Sequence, residues 1–69
     1  MTGIELEEVH AVLVKRFDPN SLAFFLKTRM DKVLANIAGA GPFNKIVFEV
    51  LSVAEQEGWD ALLIARAAE

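Results

Sequence analysis

Apolar residues recur at steps of three and four through most of the chain, and polar breaks divide that pattern into helices. The clearest run is Pro42 to Ala67, PFNKIVFEVLSVAEQEGWDALLIARA. Phe43, Ile46, Val47, Val50, Leu51 and Ala54 fall on one face of an α-helix. Glu55, Gln56 and Glu57 then turn the pattern polar, and Gly58 stands where a helix commonly ends in a left-handed residue. Trp59, Leu62, Leu63 and Arg66 begin a second, shorter stripe. Two apolar faces joined by one glycine bury themselves by folding back on each other, which predicts a helical hairpin.

The rest of the chain reads the same way. Thr2 and Glu5 have capping-box spacing, in which each side chain satisfies the other's backbone N–H, so a first helix is expected from Gly3 to Arg16. Leu6, Val9, His10, Leu13 and Phe17 form its inner face, with Ile4, Val12 and Val14 as apolar residues off that line. Early glutamates and the late Lys15–Arg16 pair both suit the helix dipole. Asp18-Pro19-Asn20-Ser21 breaks the pattern, and a second helix starts near Pro19 or Ser21 with Leu22, Phe25 and Leu26 inward. Phe24 lies beside that face, open to either core or surface. Thr28 with Asp31 offers a further cap, predicting a short third helix from about Arg29 with Met30, Val33, Leu34 and Ile37 in its stripe. The spacing from Leu22 to Ile37 also fits one continuous helix. Ala38-Gly39-Ala40-Gly41-Pro42 is the plainest loop. Nothing alternates as a strand does, so the expected fold class is all-α: a compact antiparallel bundle of short helices, in a single domain over residues 1–69.

Composition narrows what such a bundle does. The chain has 69 residues, near the lower limit for a self-sufficient core. It has no cysteine and a single histidine, His10, which removes disulfides and makes a structural zinc site a poor fit. Fifty-four per cent of the residues are hydrophobic, more than one small core hides, so exposed apolar surface is expected and with it a contact site. The net charge of −3 repels phosphate backbones and argues against nucleic acid as a partner. The start, MTGIELEEVH, lacks the basic region of a secretory signal, and no apolar run approaches a membrane span. A cytoplasmic location without membrane partners is the default expectation. The chain ends at Glu69 still in helical pattern, as expected of a domain cut from a longer protein.

Candidate chemistry is sparse. His10 has no nucleophile or carboxylate beside it in a triad-like pattern and reads as a residue at the core's rim. Ser21 and Ser52 are the only serines, and neither sits in a Gly-x-Ser-x-Gly elbow. Ser21-Leu22 behind Asp18 and Asn20 faintly resembles the attachment site of acyl carrier proteins. The residue before Ser21 is Asn rather than Asp, the preceding segment is short, and Lys27, Arg29 and Lys32 stand where that family has acid. A capping role for Ser21 is the simpler reading. Gly39-x-Gly41 lacks the strand and the full pattern of a phosphate loop, and Glu7–Glu8 and Glu55–Glu57 read as solvated helix faces. No catalytic residue, cofactor or metal is therefore expected. What remains is a division of charge: Lys27, Arg29 and Lys32 make the middle basic, whereas Glu49, Glu55, Glu57 and Asp60 make the C-terminal hairpin acidic. These seven residues are the candidate partner-binding set, one molecule's basic surface meeting another's acidic one.

With these features in place the chain resembles the type 1 effector-associated domain of bacterial conflict systems, also described as a death-like domain. The resemblance runs through HAVLVKRFDPNSL, FFLKTRMDKVLANI and VFEVLSVAEQEGWDALLIARA, the last with Gly58-Trp59 and Leu62-Leu63-Ile64 in the family's pattern. The Asn/Pro-containing segment that usually follows the last helix is missing. The resemblance implies a bundle of five or six antiparallel helices similar to the death fold. It also implies a non-enzymatic adaptor that binds like domains, on a second copy or on protease, nucleotidase or NTPase-containing effectors, in bacterial defence or signalling. It carries over no catalytic residue. Two other readings stand beside it: an acyl-carrier-like protein using Ser21, and a stand-alone helical dimerisation or DNA-associated regulator.

Overall fold

The computed structural model describes residues 2–68, arranged as five helices: α1 (Gly3–Arg16), α2 (Pro19–Arg29), α3 (Leu34–Ile37), α4 (Phe43–Glu57) and α5 (Asp60–Ala67). No strand occurs among the described residues. The fold is all-α, as the periodicity requires. The Cα radius of gyration is 10.7 Å, against about 11 Å expected for a compact chain of this length.

Local chemistry sets the starts of α1 and α2 and the end of α4. The Thr2 hydroxyl oxygen accepts from the Glu5 amide at 3.2 Å, forming half of the expected capping box. The other half differs: the Glu5 carboxylate accepts from the Thr2 hydroxyl at 3.3 Å, so the two side chains bond each other. Asp18 caps α2 more completely. Its carboxylate accepts from the Ser21 amide at 2.7 Å, and the Ser21 hydroxyl oxygen accepts from the Asp18 amide at 2.9 Å. Pro19, which has no N–H to lose, fills the first turn. At the far end of α4, Gly58 has φ +85°, and the amides of Gly58 and Trp59 both return to the Ala54 carbonyl at 2.8 and 2.9 Å. A side chain resists that left-handed backbone, and glycine does not.

The region between α2 and α3 departs from the sequence-based expectation. The third helix starts at Leu34, not near Arg29, and α2 runs through the expected break. Thr28 does not cap anything: its hydroxyl donates to the Phe24 carbonyl one turn back, at 2.8 Å. The chain leaves α2 at Asp31, whose φ of +55° is the left-handed conformation that aspartate tolerates better than most residues. There the amides of Met30 and Lys32 share the Leu26 carbonyl. Of the stripe expected for α3, Met30 is buried and Leu34 and Ile37 pack against the core, whereas Val33 is exposed.

The buried core draws on every helix except α3, whose Leu34 and Ile37 pack against it part-buried. Leu13, Leu22, Leu26, Val47, Val50, Leu51 and Leu63 are fully buried, with Ala54 and Trp59 at the α4–α5 joint. Each large side chain so buried contributes about 1.5–3 kcal/mol. The hairpin forms as predicted, with α4 packed on both α1 and α5. One position in it is reversed. Leu62, placed inward by the sequence stripe, is 49% exposed. The face of α5 that packs is Trp59–Leu63–Ala67, at steps of four, which turns Leu62 and Ile64 to either side.

Candidate protein-interaction surfaces

The seven charged candidates fall into three settings. Lys27 and Arg29 stand exposed in the last turn of α2, where cations complement the helix dipole. Lys32 lies in the α2–α3 connection, and the fold carries it to the α4–α5 joint. Its Nζ is 4.0 Å from the Glu57 carboxylate and 5.3 Å from the centre of the Trp59 ring. The Trp59 indole N–H donates to the same Glu57 oxygen at 2.7 Å. One basic and one acidic candidate thus meet within a single chain, pinning the α2–α3 turn to the hairpin.

Glu49 is occupied elsewhere. It accepts from the Gly39 amide at 3.0 Å and lies 3.9 Å from Lys45 Nζ, so it ties the glycine loop to α4. Glu55 is half-buried near the end of α4, and neither it nor Arg29 lacks a partner within the structure. Asp60 is half-buried in the first turn of α5, the favourable end for an acid. Sequence proximity had grouped these residues by sign; the fold groups them by neighbour.

Apolar surface is the larger feature. Among the described residues Ile4, Val12, Phe24, Val33, Phe48, Leu62 and Ile64 are large, hydrophobic and exposed, with Ile4 at 73% and Phe24 at 70%. Phe24, left open between core and surface by the sequence, points to solvent. Val12 and Ile64 line a groove of about 260 Å³ between α1 and α5, floored by Val9 and Leu13. Glu8 and Arg16 stand at its rim, and an Arg16 Nη1–H donates to the Ala67 carbonyl at 2.8 Å. The groove escaped the sequence reading, although Val12 had been noted as apolar and off the inner line.

Residues with reactive side chains have structural employment. The His10 Nε2–H donates to the Asn44 carbonyl at 2.7 Å, joining α1 to the start of α4. The Ser21 hydroxyl closes the α2 cap. Asp18 is held below the usual carboxylate range, chiefly by the Ser21 amide and then by its hydroxyl. A second depression, lined by Pro19, Ala23, Leu34, Ala38 and Ile46 among others, has no titratable side chain on its walls. Among the described residues, no group of three or more His, Cys, Asp and Glu side chains is placed to hold a metal ion, and no helix is long and apolar enough to cross a membrane.

Comparison with known proteins now decides the family. The sequence model of effector-associated domain 1 matches residues 1–69, the whole chain. This chain is an effector-associated domain. Its family makes it an adaptor-type module associated with effector proteins. No curated protein and no solved structure matches it.

Proposed function

We propose that this effector-associated domain is a non-catalytic interaction module that associates like with like and so recruits or clusters effectors. The setting proposed for it is cytoplasmic, in bacterial defence or signalling, in the manner of a death-like domain. Its partners are like domains on a second copy or on an effector that performs the chemistry. The observation supporting this is the set of large exposed hydrophobic residues, Phe24 foremost, on a domain whose core is already closed. Such residues gain by being covered, at about 25 cal/mol per Å² of apolar surface removed from water.

Charge directs the contact. Each molecule carries −3, so two copies repel at long range, and local pairing of opposite charges is needed to choose faces and register. Lys27 and Arg29 are the proposed basic contribution; Glu55 and Asp60 are acidic candidates on the hairpin. Lys32, Glu57 and Glu49 complete the candidate set, although their contacts inside the chain hold the fold as well.

Sedimentation velocity over a range of concentrations, with a pull-down of untagged by tagged domain, tests the reading. Concentration-dependent association is expected, weakened when Lys27 and Arg29 are both changed to Glu while the helical circular-dichroism spectrum is kept. A wild-type domain that stays monomeric at every concentration, and is not retained by its tagged copy, overturns the like-with-like mechanism.

A further inference from the structure

We propose that α2 of one copy docks in the α1–α5 groove of a second copy, with Phe24 as the inserted side chain and Lys27 set against Glu8. This deepens the like-with-like reading and rests on it.

The occupant is argued from size, spacing and charge. At about 260 Å³ the groove is smaller than the roughly 300–1,000 Å³ of pockets that enclose small molecules. Its exposed walls, Val12 and Ile64, are apolar, and its rim carries one acid and one base. The matching feature is an aromatic side chain flanked by complementary polar groups. Phe24 is 70% exposed, with Lys27 exposed on the next turn and Asn20 exposed on the turn before.

The register fits an antiparallel pair of helices. On α1, Glu8 is four residues before Val12 and Arg16 four after, a rise of about 6 Å in each direction. On α2, Lys27 is three residues after Phe24 and Asn20 four before, rises of about 4.5 and 6 Å. With the helices antiparallel and Phe24 over Val12 and Ile64, Lys27 comes to Glu8 and the Asn20 carboxamide oxygen comes to Arg16. Run parallel, the same helices would set Lys27 against Arg16. The rim therefore selects a direction as well as a face.

Glu8 also answers which acid receives the basic end of α2. Glu57 is bonded to Trp59 and Lys32 in its own chain, and Glu49 to the glycine loop. Glu8 is exposed beside an apolar groove. The contact joins two different surfaces, so it is heterologous. One groove and one helix face make a small contact that includes an exposed ion pair, which predicts weak, salt-sensitive association.

Heterologous pairing permits a test by complementation. Phe24→Glu removes the inserted side chain and leaves the groove; Val12→Glu spoils the groove and leaves the side chain. Both positions are exposed, and circular dichroism checks that each variant folds. Each variant alone is expected to lose self-association by more than tenfold, and an equimolar mixture to recover a one-to-one complex in sedimentation velocity. Lys27→Glu mixed with Glu8→Lys restores both kinds of junction, so association is expected to recover there without stopping at a one-to-one complex. Self-association that survives Phe24→Glu overturns the docking model and leaves the like-with-like reading intact. Mixtures that do not recover also overturn it. A wild-type domain that never self-associates overturns both.

Discussion

Replacing Gly58 with alanine isolates the backbone contribution to the α4–α5 joint. At φ +85° an L-residue pays about 1–2 kcal/mol for the left-handed conformation. An ideal Cβ built there meets no atom within 4 Å, so crowding adds nothing. Alanine also narrows the unfolded ensemble, which returns about 0.4–1 kcal/mol. The net expectation is a loss near 1 kcal/mol, out of a total of about 3–10 kcal/mol for a chain of this size. In a domain this small, that corresponds to a fall in Tm of about 4–8 °C. Gly3→Ala supplies the opposite sign. It sits in the first turn of α1, also with nothing within 4 Å, and at negative φ alanine is the better helix former. A rise of a few tenths of a kcal/mol is expected there. Thermal melts followed by far-ultraviolet circular dichroism, on three proteins in one buffer, read both. A raised Tm in Gly58→Ala would mean that the left-handed closure carries no cost for an L-residue at the joint. A fall beyond about 15 °C would mean that the open space at Gly58 is filled.

Other substitutions test the packing, the cap and the corner. Leu63→Ala should cost about 2–5 kcal/mol, whereas the neighbouring Leu62→Ala should cost less than about 0.5 kcal/mol, because only Leu63 is enclosed; urea unfolding separates them. Asp18 titrates below the usual range in the folded state, so its contribution is present above the unfolded carboxylate value, about 4, and is lost as pH falls through the lower folded value. Asp18→Asn should therefore flatten the acid side of the stability profile measured by thermal melts between neutral pH and pH 2. Lys32→Met should cost no more than about 1 kcal/mol from the ring contact and the exposed ion pair together. A double-mutant cycle with Glu57→Gln should find part of that as coupling that shrinks with added salt; zero coupling at low salt would remove the corner contact.

Signals confined to a few adjacent residues were legible in the chain. The bounds of α1 follow from Thr2 and Lys15–Arg16, and the end of α4 follows from Gly58, because caps and left-handed turns are settled within one helical turn. The α2–α3 boundary was not legible: Thr28 and Asp31 have cap spacing, but the hydroxyl had a nearer acceptor in Phe24, and Asp31 took the turn itself. Leu62 was misplaced because the stripe of α5 is re-phased by the joint at Trp59. The surfaces were partly legible. Sequence gave the signs of Lys32 and Glu57, but only the return of the hairpin could bring one to the other. Val12 and Ile64 lie 52 residues apart, and no local pattern announces a groove built from both.

The position of Trp59 has a spectroscopic consequence. It is the only tryptophan and the chain has no tyrosine, so indole emission above 295 nm excitation comes from one place. That place is the α4–α5 joint, under the Lys32 ammonium and bonded to Glu57, and the indole is not part of the α1–α5 groove lining. Its intensity and wavelength should follow folding of the joint, and a change on assembly would report that Lys32 or Glu57 enters the contact. A single native fluorophore thus reports folding of the joint and tells whether the Lys32–Glu57 corner takes part in assembly.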